Sequence, residues 1–153
     1  VDLSQVVRDA AAAFAGAPRV RWAVDARPGA VVEADPRLLG RVLSNLLGNA
    51  VEALGTGGGE IAIRVDIGDR RVRVTIEDDG PGVSPEVLPR LFEPYFSARS
   101  GGTGLGLAIV KKIVEEHGGE ISAENRAPGG FRVRFDLPLP ESGPESRSDG
   151  AGA

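Results

Sequence analysis

Apolar residues return along this chain at helical spacing in some stretches and at every second position in others, and the switches between the two mark its elements. Leu3, Val6, Val7, Ala10 and Phe14 recur once per turn around an alanine run. They predict a short helix from Asp2 to Ala15, stopped by Gly16 and Pro18. Val20 to Asp25 alternates and predicts a strand, followed by a turn at Arg27-Pro28-Gly29 and a second short strand at Val31 to Glu33. Asp35 and Pro36 supply a helix cap and a first-turn proline. The helix they open runs to about Leu54 and ends in glycines from Gly55. On it Leu39, Leu43, Leu46, Leu47, Ala50 and Leu54 share one broad face, while Asn45, Asn49 and Glu52 fall on the opposite side.

Alternation resumes at Glu60 to Ile67 and Arg71 to Glu77, a hairpin with one face buried. From Asp78 to Thr103 no period holds, and a connection that long inside a domain is usually functional. A helix is predicted from about Gly104 to His117, then two alternating segments, Glu120 to Glu124 and Phe131 to Leu137. The arrangement predicts an α+β fold: a two-layer sandwich whose mixed, mostly antiparallel sheet is covered on one face by helices. Residues 1–140 form its single domain, and 141–153, without apolar periodicity, a disordered tail.

Composition narrows the chemistry. With 18 basic and 22 acidic residues the formal net charge is −4, which argues against a nucleic-acid or anionic-membrane surface. There is no Cys, so disulfides, thiol catalysis and Cys-built zinc sites are excluded, and one His, His117, is too few for most His-built metal sites. No apolar run approaches the roughly 20 residues of a membrane span. Met is absent, as expected of a chain cut from something longer or processed. Gly is 22 of 153 residues, about twice the usual share near 7%, and is concentrated in clusters.

Three clusters carry candidate chemistry. Asn45 and Asn49, one turn apart on a helix, are middling helix formers whose amides suit a hard cation or phosphate, although a solvated face is the simpler reading for either alone. Asp78-Asp79-Gly80-Pro81-Gly82 ends a strand. It is a turn by composition, yet it also sets a carboxylate able to accept from an exocyclic amine beside glycines that leave room for a flat ring. Gly101 to Gly106 runs into a helix, exposing amide groups and the positive dipole end to phosphate. Its spacing matches neither the dinucleotide fingerprint nor the P-loop.

In order and distance these clusters resemble the ATP-binding catalytic domain of sensor histidine kinases, in the family shared with gyrase, Hsp90 and MutL ATPases. Asn45-Leu-Leu-Gly-Asn49-Ala matches its N box, Asp78-Asp-Gly80-Pro-Gly82 its first glycine box, Leu91-Phe92-Glu-Pro-Tyr-Phe96 its F box, and Gly102-Thr103-Gly104-Leu105-Gly106 its second. The resemblance implies the Bergerat fold with a mobile ATP lid, anchored by Phe92 and Phe96. It implies ATP and Mg²⁺ as cofactors, Mg²⁺ on Asn49, adenine on Asp78 beside Gly80 and Gly82, and phosphates cradled by Gly102, Thr103, Gly104, Leu105 and Gly106. Arg99 would reach the γ-phosphate. Asn45 stands where hydrolytic members carry a Glu base, and an amide takes no proton at neutral pH, which implies transfer rather than hydrolysis. Glu52 and Arg132 depart from the pattern, Arg132 where a Thr commonly supports the adenine-binding Asp.

His117, at a helix end, is expected to cap carbonyls rather than accept phosphate. The implied partners are therefore a phosphoacceptor His on a separate dimerisation domain and a downstream response regulator. The fragment itself is expected to be monomeric, cytoplasmic and without nucleic-acid or membrane contact. Two alternatives stand beside this: an anti-sigma-factor type serine kinase of the same fold, and a degenerate docking module without transfer activity.

Overall fold

The structure, a computed structural model, describes residues 1–96 and 106–140. Helix α1 (Leu3–Ala13) starts where the Asp2 carboxylate accepts from the Ser4 amide, and α2 (Pro36–Leu54) where Asp35 does the same for Arg37. Strand β1 (Val20–Ala26) lies between them in sequence. The hairpin β2 (Gly59–Ile67) and β3 (Arg71–Asp78) follows, then α3 (Gly106–Glu116), β4 (Glu120–Asn125) and β5 (Phe131–Pro138). The expected tail at 141–153 and the first two residues of the third predicted helix, Gly104 and Leu105, lie outside the described residues.

The sheet runs β1-β2-β3-β5-β4, with β1 parallel to β2 and every other pair antiparallel. All three helices cover one face, as the α+β expectation requires. Period two sends Ile61, Ile63, Val72, Val74, Phe135 and Leu137 into that interface, where they meet Leu3, Val7, Leu39, Leu43, Leu47, Val110 and Val114 from the helices. No helix among the described residues is long and apolar enough to cross a membrane.

One predicted element is absent. Val31 to Glu33 forms no strand; Val31 makes a single antiparallel bridge to Asp2, flanked by the Leu3 amide on the Ala30 carbonyl and the Val32 amide on the Val1 carbonyl, both 2.8 Å. Its partner segment turns helical at Leu3, so there is no further extended backbone to continue the ladder.

The face of the sheet away from the helices is laced with charge. Arg132 pairs with Glu77 and Glu124, Arg64 with Asp66, and Arg71 with Asp136.

Candidate functional site

At the end of the sheet where β3 and β5 meet α2, the two layers part and leave a pocket with about 550 Å³ of empty space, mouth included. Helix α2 lines it with Leu46, Asn49, Ala50 and Ala53, β3 with Ile76 and Asp78, and β5 with Phe131 and Val133. Gly82, Val83 and Leu91 close it from the loop after β3, and Leu107 from α3. Strand geometry explains much of this set. Ile76 and Asp78 are two apart and share the helix-facing side, and Phe131 is the register partner of Asp78 on the neighbouring strand.

Asn49 is therefore not opposite the apolar face of α2, as the helical spacing suggested. Helix α2 packs on α1 and α3 as well as on the sheet, which widens its buried arc. Val42, about 20° from Asn49 around the helix, is fully buried. Asn49 stands on the flank of that arc, half-buried, with its neighbours Leu46, Ala50 and Ala53 in the same pocket.

Asp78 is 4% exposed, a carboxylate held in a mostly apolar wall, and its Oδ1 accepts from the Gly80 amide at 2.9 Å. Gly80 cannot carry a side chain without displacing α2, because a Cβ there would lie 2.9 Å from the Ala53 carbonyl oxygen. Gly82 has φ +74° and lies against the amide of Asn125. The same segment is gripped from outside. Asn125 Nδ2 donates to the Val83 carbonyl at 2.7 Å while its Oδ1 accepts from the Val83 amide at 2.9 Å. Arg126 Nη1 donates to the Asp78 carbonyl at 2.9 Å, and Asp79 Oδ1 accepts from the Glu60 amide at 3.0 Å.

Arg132 does not stand beneath Asp78. Successive strand residues face opposite ways, so Arg132 points with Glu77 to the outer face of the sheet, its Nε 2.5 Å from the Glu77 carboxylate, and Phe131 is the residue across from Asp78. Burial by itself would raise the Glu77 carboxyl. The Arg132 hydrogen bond, with the charges of Arg132, Arg126 and Arg64, outweighs it and holds the group below the ordinary glutamate value.

Asn45 is half-buried and faces Gly106, where a Cβ would lie 3.7 Å from its Oδ1, so the N box and the end of the second glycine box are adjacent. Phe92 and Phe96 are half-buried and do not line the pocket; their neighbour Leu91 does, while Phe96 carries the Arg90 guanidinium 4.4 Å above its ring. Glu52 is exposed. Arg99, Gly102, Thr103, Gly104 and Leu105 lie outside the described residues. His117 Nδ1 contacts the Ile113 carbonyl at 2.8 Å, a helix-end role. Sequence reasoning missed Leu91, Leu107 and Phe131 in the lining and Asn125 and Arg126 behind it. Leu91 and Phe131 had a signal, Leu91 as the first residue of the F box and Phe131 at the start of an alternating strand.

The donor set bears on a metal. Among the described residues no cluster of three or more His, Cys, Asp or Glu would hold an ion, so these residues form no carboxylate or imidazole cage. A single amide oxygen at Asn49 fits Mg²⁺, which retains waters and draws most other ligands from bound phosphates.

Residues 34–141 match the family described as histidine kinase-, DNA gyrase B- and HSP90-like ATPases. The sensor histidine kinase ZraS of Klebsiella oxytoca is 48% identical over 109 residues, 71% of this chain but 23% of ZraS. DctS, a C4-dicarboxylate transport sensor protein of Rhodobacter capsulatus, is 39% identical over 94% of this chain and 23% of its own. The chain thus spans less than a quarter of these curated relatives. The nucleotide-free catalytic domain of histidine kinase ThkA superposes with a TM-score of 0.82 at 34% identity, covering 90% of this chain and 93% of that one. ThkA has also been solved in complex with the response regulator protein TrrA (TM-score 0.77, 32% identity, 90% and 40% covered). Full-length ShkA has been solved with AMPPNP (TM-score 0.74, 30% identity, 90% and 30% covered).

Proposed function

Since the chain belongs to the histidine kinase-, DNA gyrase B- and HSP90-like ATPase family and corresponds to a histidine kinase catalytic domain, we propose that its pocket binds Mg·ATP and hands the γ-phosphoryl to a histidine on a separate dimerisation domain. One observation carries the reading: a buried carboxylate, Asp78, and a helix amide, Asn49, line a single apolar pocket walled by Gly82.

Each part has a task. The Asp78 carboxylate accepts from the adenine amine, and in an apolar wall it has little water to compete with. Ile76, Leu91, Leu107 and Phe131 supply apolar surface to the ring, and Gly82 lets it approach the backbone. Asn49 would hold Mg²⁺ through its amide oxygen, together with the phosphate oxygens. Bound there, the ion neutralises phosphate charge and orients the chain of phosphates. Asn45 offers no base to a water, so the pocket positions ATP without promoting hydrolysis, and catalysis is by placement of the γ-phosphoryl in line with the incoming imidazole. Arg99 and the glycines at 102, 104 and 106 would take the phosphate end. A downstream response regulator completes the reading, supported by the ThkA complex with TrrA, as the use of ATP is by ShkA with AMPPNP; a module that draws on ATP sits where ATP is, in the cytoplasm.

The test is calorimetric titration with ATP, ADP and a non-hydrolysable analogue, each with and without Mg²⁺, followed by incubation with an isolated dimerisation domain and labelled ATP. Adenine-selective, Mg²⁺-sensitive binding and acid-labile label on the added domain are expected. No binding at millimolar nucleotide would overturn the proposal, and acid-stable label would point to a serine acceptor.

A further inference from the structure

The loop that closes the pocket has no strand partner where it needs one. After Asp78 the ladder ends, yet Gly82 and Val83 still line the pocket, so something other than sheet pairing must locate their backbone. Asn125 does this with one side chain. Its amide presents a donor and an acceptor side by side, and Val83 receives both, at 2.7 and 2.9 Å, as a neighbouring strand would offer them. Gly82 is what lets the amide close in, for a Cβ at Gly82 would lie 2.5 Å from Asn125 Oδ1. The next residue, Arg126, takes the other end of the segment through the Asp78 carbonyl, and its own amide bonds to Gly130 at 2.9 Å to close the turn. Two consecutive residues at the end of β4 thus hold the pocket wall from Asp78 to Val83 at both its ends.

We propose that Asn125 is a positioning residue for the base-binding part of the pocket, acting through the Val83 backbone without touching the ligand. This rests on the adenine reading of that pocket. On that reading the effect is confined to the base end: Gly82 and Val83 lie on the segment that continues from Asp78, whereas the phosphates are assigned to Asn49, on α2, and to the second glycine box. Asn125→Ala removes both hydrogen bonds and frees the wall. Asn125→Asp preserves size and the acceptor but sets a carboxylate oxygen against the Val83 carbonyl, so it should be no better than alanine.

The experiment titrates the wild-type chain and both variants with ATP and with adenosine, well below their melting temperatures, and follows amide exchange at Val83. Expected is a loss of about five- to tenfold in affinity, the same factor for adenosine as for ATP. Val83 exchange should quicken while core amides such as Leu47 and Ile63 keep their protection. Unchanged affinity in both variants with Val83 still protected would overturn the proposal, as would a loss confined to ATP, which would place the effect at the phosphates. Exchange accelerated across the whole chain would reduce Asn125 to a stability residue and overturn it as well. Absence of binding in the wild type would instead sink the adenine reading, and Val83 exchange would then decide the clamp by itself.

Discussion

The two ends of the sheet are held by different means. At the far end, beside Val72, Arg71 pairs with Asp136 at 2.7 Å, and the backbone these two side chains also touch, the Gly118 carbonyl and the Glu120 amide, stands at the start of β4, which its ladder with β5 already locates. At the pocket end the side chains hold backbone. Asn125 holds Val83, Arg126 holds Asp78 and Asp79 holds Glu60, while Gly80 and Gly82 allow the close approach. Exposed ion pairs lose to solvent most of what they gain and place nothing in particular. Bonds from a side chain to an unladdered backbone decide where a loop lies, and a pocket wall needs that.

The largest break in this contrast should come from a glycine. Gly130 has φ +112° and sits against the Asp78 carbonyl, so Gly130→Ala must move the pocket strand, at a cost of about 3 kcal/mol in chemical denaturation. Gly129→Ala, beside it, meets nothing within 4 Å and should stay within about 0.5 kcal/mol. Binding variants come next. Asp78→Asn should weaken ATP by about 2 kcal/mol and narrow its preference over GTP, since an amide offers the adenine amine a poorer acceptor. An unchanged ATP:GTP ratio in calorimetry would remove Asp78 from the site. Asn49→Ala should abolish the Mg²⁺ dependence of binding while leaving adenosine affinity alone.

A smaller effect separates charge from backbone at the outer face. Glu77 titrates below its ordinary value in the folded chain, so its contribution is present above the unfolded value and is lost as pH falls through the folded one. Melting temperature followed from pH 7 to pH 3 should therefore fall on the acid side. Arg132→Ala should flatten that part of the curve without altering ATP affinity at neutral pH. The smallest effect belongs to the far end: Arg71→Ala should cost about 0.5–1 kcal/mol and change nucleotide binding not at all.

Much of the fold was legible in the chain because period does the work. The alternation at Glu60 to Ile67 and Arg71 to Glu77, and the Asp35-Pro36 cap, each encode an element locally, and the structure has β2, β3 and α2 there. Val31 to Glu33 misled for the same reason. Its pattern is that of a strand, but strandhood depends on a partner, and the one available turns into helix at Leu3. The pocket divides likewise. Asp78, Gly82 and Asn49 stand out by residue type in a run. Leu91, Leu107 and Phe131 are ordinary apolar residues made pocket-lining only by pairings and packing distant in sequence. Asn125 is harder still, since an Asn at a strand end is the usual sign of a turn, and its hold on Val83 exists only after β4 has found β5.

Register adds a consequence in time. Asp78 lies across from Phe131, and the residues between them include α3, β4 and the β4–β5 turn. The β2–β3 and β4–β5 hairpins close over short distances and form early, whereas β3 meets β5 only after a long loop has been drawn in. A chain emerging from the ribosome therefore carries Asp78 and Asn49 well before it owns a place to put a base, and the pocket comes into being with the last strand. In refolding, a signal from bound nucleotide should lag behind the appearance of sheet, with the pairing of β3 and β5 setting the delay.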